Sequence, residues 1–336
     1  MHRPAIPSIP SRRLPRLAGA LAVAGAALAA AAPAGAQDFP SRPITLVAPF
    51  APGGSVDITA RLIADAWGKA LGQSVVVENR AGASGNIGMA AVSRAQPDGY
   101  TLAINTMSLA INPSLFKDMP FDTLKDLRSV GTVATSQHVL TVTNSLPVGN
   151  VSELLAYVRA RPANALSFGS AGTGSTFHMA AELFKSVSKT QILHVPYKGG
   201  GPAMVDTISG QVQMSFPVLS AAKPQVDGGK LKALGVTGRT RSPLLPNVPT
   251  IAESGLPDYE FNTWFVVSAP AGTPQAVVDT LNARLAQALR TPEMTERLQK
   301  EGFEALISSP ADTDKMVASE MQRWAGIVKE AGITPN

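Results

Sequence analysis

Two short stretches of the sequence hold the residue types that can grip or transform a small molecule. Pro-Phe-Ala-Pro-Gly-Gly-Ser-Val-Asp (49–57) brings together Phe50, Ala51, Pro52, Gly53, Gly54 and Asp57. Gly-Ser-Ala-Gly-Thr-Gly-Ser-Thr-Phe-His (169–178) does the same for Ser170, Ala171, Gly172, Thr173, Gly174, Ser175, Thr176 and His178. Each ends an apolar run and opens a stretch with helical spacing. Glycine lets the backbone turn tightly and approach a ligand, and the first N–H groups of a helix have no partner inside it while its dipole adds about half a positive charge there. Each stretch is a candidate anion cradle. A tight turn without a ligand is the alternative for either alone, and one such loop in each half favours a shared site in a cleft between them.

Other chemistries fail at particular positions. A phosphate loop requires a Gly-Lys-Ser/Thr ending that neither stretch has, and a dinucleotide fingerprint built on Gly172 and Gly174 meets Phe177 where glycine must stand. Ser170, Ser175, His178, His194 and Asp57 contain the parts of a catalytic triad, yet no Gly-x-Ser-x-Gly elbow occurs. A hydrolase or isomerase using His178 with Ser170 or Ser175 is the runner-up reading. Beyond the first 36 residues only His138, His178 and His194 remain, none in a metal-pair spacing, so no metal site and no cofactor are expected. His178 reads as a cap or cleft-lining group, His194 as a core residue and His138 as a hinge residue.

Four more positions complete the candidate ligand-binding set: Thr106 and Ser108 after the strand 101–105, Tyr197 before a glycine-rich helix start, and Pro217 after the strand 212–216. Asp57 either caps its own helix or touches the ligand. The turn Tyr-Lys-Gly-Gly-Gly-Pro (197–202) is either a surface turn or ligand-facing, and the third glycine-rich turn, 79–88, is structural or borders the cleft. Phe50, Met107, Phe177, Tyr197, Pro217 and Trp264 line an apolar pocket or belong to the core.

The chain of 336 residues is 45% hydrophobic and 16% charged and has no cysteine, which describes a globular protein and excludes disulfides and thiolate chemistry. Its charge of +5 is concentrated at the start: removing Arg3, Arg12, Arg13 and Arg16 leaves 29 − 4 = 25 basic against 24 acidic groups. A nearly neutral body has no footprint for nucleic acid. A basic n-region, the apolar run 17–32 and Ala-Gly-Ala (34–36) read as a secretory signal peptide, residues 1–36, cleaved to leave 336 − 36 = 300 residues from Gln37. The ordinary secretory route is favoured over the faint twin-arginine signal at Arg12-Arg13. No later run approaches the ~20 apolar residues of a membrane span.

Behind the candidate loops, strands alternate with helices: strand 44–48, helix 58–71, strand 75–78, helix 88–95, strand 101–105, then helix 152–161, strand 166–168, helix 176–188 and strands 192–195 and 212–216. Such alternation predicts parallel sheets covered on both faces. After a strand at 264–269 the chain turns helical. Thr273-Pro274, Thr291-Pro292 and Ser309-Pro310 each place a hydroxyl at an N-cap and proline at the first helical position.

Five ordered motifs carry a resemblance: Pro-Ile-Thr-Leu-Val-Ala-Pro-Phe-Ala-Pro-Gly-Gly-Ser-Val-Asp (43–57), Val-Glu-Asn-Arg-Ala-Gly-Ala-Ser-Gly-Asn-Ile-Gly (77–88), Pro-Asp-Gly-Tyr-Thr-Leu (97–102), Phe-Gly-Ser-Ala-Gly-Thr-Gly-Ser (168–175) and His-Val-Pro-Tyr-Lys-Gly-Gly-Gly-Pro-Ala (194–203). Across 38–336 the chain resembles the Bug or TctC proteins, extracytoplasmic solute-binding receptors of tripartite tricarboxylate transporters. The resemblance implies an α/β, type II periplasmic-binding-protein fold in which two α/β domains, joined by crossing strands, surround a ligand cleft. It implies a first domain of 38–140 plus 259–336 and a second of 141–258. It also implies that loops 49–57 and 170–176 hold a carboxylate with main-chain N–H groups, and that the partners are a small carboxylate ligand and the large and small membrane subunits of a transporter. Ala51 stands where family members often carry a bulkier or polar residue, which leaves selectivity there open. The chain is read as a periplasmic monomer without catalytic activity. A membrane sensor is the alternative partner.

Overall fold

The computed structural model describes residues 39–330 together with His2 and Ile333; the segment 1–36, read from sequence as a signal peptide, lies outside these residues apart from His2. In chain order the elements are β1 (Ile44–Ala48), α1 (Ser55–Leu71), β2 (Val75–Asn79), α2 (Asn86–Ser93), β3 (Thr101–Thr106), α3 (Ser108–Leu115), β4 (Leu127–Gln137) and β5 (Val139–Thr143). Then come α4 (Val151–Arg159), β6 (Ser167–Ser170), α5 (Thr176–Ser188), β7 (Leu193–Pro196), α6 (Gly200–Ser209), β8 (Met214–Ser215), α7 (Leu219–Asp227) and β9 (Leu231–Val236). The chain finishes with β10 (Asn262–Pro270), α8 (Gln275–Leu289), α9 (Pro292–Lys300), β11 (Glu304–Ala305) and α10 (Pro310–Glu330).

The strands form two sheets, ordered β11-β4-β10-β3-β1-β2 and β7-β6-β8-β5-β9. β1 is parallel to β2 and β3, and β6 to β7 and β8, as strand–helix alternation requires. The expectation of purely parallel sheets needs correction. β10 runs antiparallel to both β3 and β4, and β5 antiparallel to β8 and β9. β4 is the longest strand and was invisible to pattern reading. It is buried along nearly its whole length and mixes Arg, Gln, Ser, Thr and Gly with Leu, Val and Ala, so neither alternation nor a continuous apolar run marks it.

The chain passes between the sheets at His138, the single residue separating β4 from β5, and again along 237–261 between β9 and β10. One continuous apolar cluster joins Val47 and Ala103 of the first sheet to Leu140, Phe168 and Met214 of the second and to Trp324 of α10. Arg42–Asn336 accordingly form one compact unit.

α1 shows how the helices are bounded. Val56, Ala60, Ile63, Ala64, Trp67 and Leu71 bury one face, Trp67 Nε1 donates to Leu281 O of α8 at 3.2 Å, and Gly72 stops the helix in the left-handed region at φ 72°. Of the three hydroxyl–proline starts, two cap as read: Thr291 Oγ1 accepts from Met294 N and Ser309 Oγ from Asp312 N. The third differs. Pro274, at ψ 142°, is itself the cap of α8, and Thr273 Oγ1 is buried without a partner.

Candidate functional site

Loop 49–57 is organised from within. Gly53 turns at φ 78°, and its N–H donates to Asp57 Oδ2 at 2.9 Å. Asn79 Nδ2 reaches back from the end of β2 to Phe50 O at 3.1 Å and Asp57 Oδ1 at 2.9 Å, and Arg61 Nε donates to the same carboxylate at 3.0 Å. Burial alone would push the Asp57 carboxyl up, but the hydrogen bonds from Arg61, Gly53 and Asn79, with the Arg61 charge, hold it below its ordinary value. Asp57 is thus spent on shaping the loop. Gly54 caps α1 without a side-chain bond, leaving the first-turn N–H groups without intrahelical partners.

Loop 170–176 is organised by neutral groups. Gly172 and Gly174 turn at φ 117° and 78°, values that only glycine adopts without strain. Their N–H groups are already used: Gly172 N donates to Ser170 Oγ at 3.1 Å and Gly174 N to His178 Nδ1 at 3.1 Å. Ser175 caps α5, its Oγ accepting from His178 N at 3.3 Å. These glycines shape the loop.

Behind this loop the imidazoles of His178 and His194 stack at 3.9 Å, and Phe168 stacks on His194 at 4.9 Å. Ser170 Oγ and His194 Nε2 lie 2.6 Å apart, while His178 Nε2 faces Glu182 Oε1 at 3.5 Å and Lys185 Nζ bonds the same carboxylate at 2.7 Å. Burial, then the neighbouring His178, pushes the His194 pKa down to about 3. Desolvation would raise Glu182, yet the bonds from His178 and Lys185 hold it low. The pairs of the runner-up reading do not form: Ser170 pairs with His194 and not His178, His178 is turned to Gly174 and Glu182, and Ser175 is a cap. Ser170 is fully buried, so no substrate bond reaches it.

The heads of two more helices complete the site. Ser108 N donates to Thr106 Oγ1 at 3.3 Å where α3 begins. At α6, Gly199 (φ 150°) precedes Gly200, whose added Cβ would stand 2.8 Å from Phe177 Cζ; glycine there lets the aromatic ring pack against the helix end. A cavity of about 140 Å³ lies among the heads of α1, α3, α5 and α6. Phe50, Ala51, Pro52, Gly53, Gly54, Thr106, Ser108, Ala171, Ser175 and Thr176 line it, as does Phe177. Asp57, Ser170, Gly172, Thr173, Gly174, His178, Tyr197 and Pro217 do not; they stand behind or beside its wall. The Tyr197 hydroxyl donates to Asp206 Oδ2 at 2.7 Å, and its pKa is pushed up to about 12 by burial and that carboxylate. Met107 and Trp264 belong to the core.

Sequence reading missed Ser55, Val56, Met204, Val218 and Ala221 in the lining. The first two follow the glycines directly and were within reach. Met204 is on α6, and Val218 and Ala221 are at the head of α7; no local motif marks them, because tertiary contact alone brings them to the cavity. No lining residue carries a charge.

Similarity to known proteins agrees with this architecture. The family described as the tripartite tricarboxylate transporter family receptor, TctC, matches residues 59–333. The chain belongs to that family. The TctC member BugT of Bordetella pertussis is 38% identical over 94% of this chain and 98% of its own length. Among solved structures, Rpa4515 of R. palustris with adipate superposes with a TM-score of 0.85 at 41% identity, covering 89% of this chain and all (100%) of that one. MatC from Rhodopseudomonas palustris with bound malate gives a TM-score of 0.80 at 33% identity, over 86% and 100%. These TctC relatives are periplasmic solute-binding receptors and not enzymes, which sets aside the hydrolase or isomerase alternative. Among the described residues no helix is long and apolar enough to cross a membrane.

Proposed function

We propose that this TctC protein captures a small carboxylate-containing ligand through main-chain N–H groups at the heads of its converging helices and delivers it to the large and small membrane subunits of a tripartite tricarboxylate-type transporter. One observation carries the reading: several helix N-termini meet around a single cavity whose lining has no charged side chain. An anion placed there is balanced by partial charges and unpaired N–H groups alone. Adipate and malate, bound in the two structural relatives, are carboxylates.

The proposed donors are the loops 49–57 and 170–176, with Ala171, Thr176, Ser55 and Val56 nearest the ligand; Asp57, Ser170, Gly172, Thr173, Gly174 and His178 hold the loops in shape, and Thr106, Ser108, Tyr197 and Pro217 flank the site. The two sheets are proposed as the cores of two lobes, 38–140 plus 259–336 and 141–258, that close on the ligand by bending at His138 and along the 237–261 crossing. Residues 1–36 direct export to the periplasm, where the mature protein acts as a monomer.

The test is thermal unfolding of residues 37–336 against adipate, malate, tricarboxylates, amino acids, aromatic acids, nucleotides and inorganic phosphate. A ligand at 100 times its dissociation constant adds about 2.7 kcal/mol. Stabilisation by one carboxylate class, recovered unchanged, is the expected result. Stabilisation by a nucleotide alone, or chemical conversion of a panel member, contradicts the proposal.

A further inference from the structure

We infer that Ser84 is a latch that holds the two lobes together outside the ligand cavity and so sets ligand affinity without touching the ligand. This rests on the two-lobe reading above. Ser84 follows β2 in the first sheet's half of the molecule, and its Oγ donates to Thr173 O, in the glycine loop that follows β6 of the second. The backbone is bent to deliver that hydroxyl. Ala83 and Ser84 occupy the left-handed region at φ 46° and 52°, between Gly82 at 138° and Gly85 at 95°. Non-glycine residues persist there only where their surroundings over-determine them.

Asn112 of α3 supplies that constraint. It is 1% exposed; its Nδ2 donates to Ser84 O at 3.0 Å and to Asn86 Oδ1 at 2.7 Å. Its Oδ1 faces across to Gly174, where an added Cβ would lie 2.7 Å away. Ser84, Asn86 and Asn112 are all outside the cavity lining. The contact can therefore form whether or not the cavity is filled, and opening the cleft must break it. A ligand that binds the closed form pays only for the fraction of molecules that are open, so a latch raises affinity by raising the closed population.

The chain has no cysteine, so spin labels can be placed freely at Val76→Cys on β2 and Val205→Cys on α6, both exposed and in opposite halves. Distances between the labels are measured by electron spin resonance in the mature protein, without added carboxylate and then with adipate as probe. The parent should show a short-distance population before adipate is added. Ser84→Ala and Ser84→Gly should each raise the long-to-short ratio about fivefold, the loss of one ordinary hydrogen bond. The glycine variant relieves the backbone strain that the alanine variant keeps. Unchanged distributions in both variants, a change in the alanine variant alone, or a parent entirely at long distance before adipate each overturn the latch. Each of these outcomes leaves the carboxylate reading standing, since the unfolding panel tests that separately.

Discussion

The two glycine loops that frame the cavity are held by different means. Loop 49–57 is tied by a carboxylate, an amide and a guanidinium, with Asp57 buried and Arg61 largely in solvent. Loop 170–176 is tied by a hydroxyl and two stacked imidazoles, with Ser170 against His194 and the Gly174 N–H against His178. The first is tied by an ion pair and the hydrogen bonds around it, whereas the second is tied by hydrogen bonds at ring nitrogens and by ring stacking. The second is also the one gripped from across the cleft by Ser84.

The largest effect should come from Gly174→Val. The residue sits at φ 78°, and its Cβ would overlap Asn112 Oδ1 at 2.7 Å and Leu115 Cδ1 at 3.0 Å. A cost of about 3 kcal/mol in unfolding free energy is expected, together with loss of ligand-induced stabilisation. Denaturant unfolding with and without adipate reads both, and an unchanged midpoint would show the loop to be softer than its contacts imply.

Acid should come next. His138 is fully buried at the crossing between sheets, its Nδ1 2.7 Å from Phe216 O, and burial lowers its pKa to about 4 despite that bond; His194 is lowered to about 3. Both groups are neutral in the folded protein where the unfolded chain, near pKa 6.5, takes up a proton. The stability they contribute is therefore intact above pH ~6.5 and drains as pH falls towards 4 and 3, by roughly 1.4 kcal/mol per pH unit for each group. His138→Asn and His194→Gln, which keep an amide in place of the bonded nitrogen, should each flatten that slope by about one proton. A slope unchanged in both variants assigns acid loss to the carboxylates instead.

Asp57→Asn should cost less, about 1.5 kcal/mol, because the amide retains one acceptor for Gly53 N–H but loses the charge that holds Arg61. Stability measured at pH 7 and pH 3 should differ less in this variant than in the parent, since its carboxyl is held low in the fold and stabilises above the carboxylate range. Smallest of all, Arg61→Ala should leave stability nearly unchanged in denaturant unfolding, as an exposed partner in an i,i+4 pair. A drop as large as that of Asp57→Asn would mean that the guanidinium, and not the Asn79 amide, carries loop 49–57.

Much of this was legible beforehand, for identifiable reasons. Strand β1, helix α1 and helix α5 announce themselves through apolar periodicity and glycine boundaries, and both cavity loops follow from glycines placed between a strand and a helix. The sequence marks Gly172 and Gly174 as candidate ligand donors, whereas the structure uses their N–H groups for Ser170 and His178. Sequence shows where a backbone can turn; it does not show which way each N–H points. The stacking of His178 on His194 joins residues on a helix and a strand that the chain order keeps apart. Val218 and Ala221 reach the cavity from the head of α7, at the far end of the second half, with no local signature at all. β4 escaped because a strand buried on both faces and rich in Ser, Thr and Gly has no alternation to read.

The central claim, that neutral helix heads and no charged side chain hold the ligand, is tested most directly by amide nuclear magnetic resonance of the mature protein titrated with adipate. The account predicts that the amide protons of Ser55, Val56, Ala171, Thr176 and Phe177 move downfield together and saturate at one equivalent, with lysine and arginine signals unmoved. Saturation that shifts arginine or lysine side chains and leaves those amides in place would contradict it.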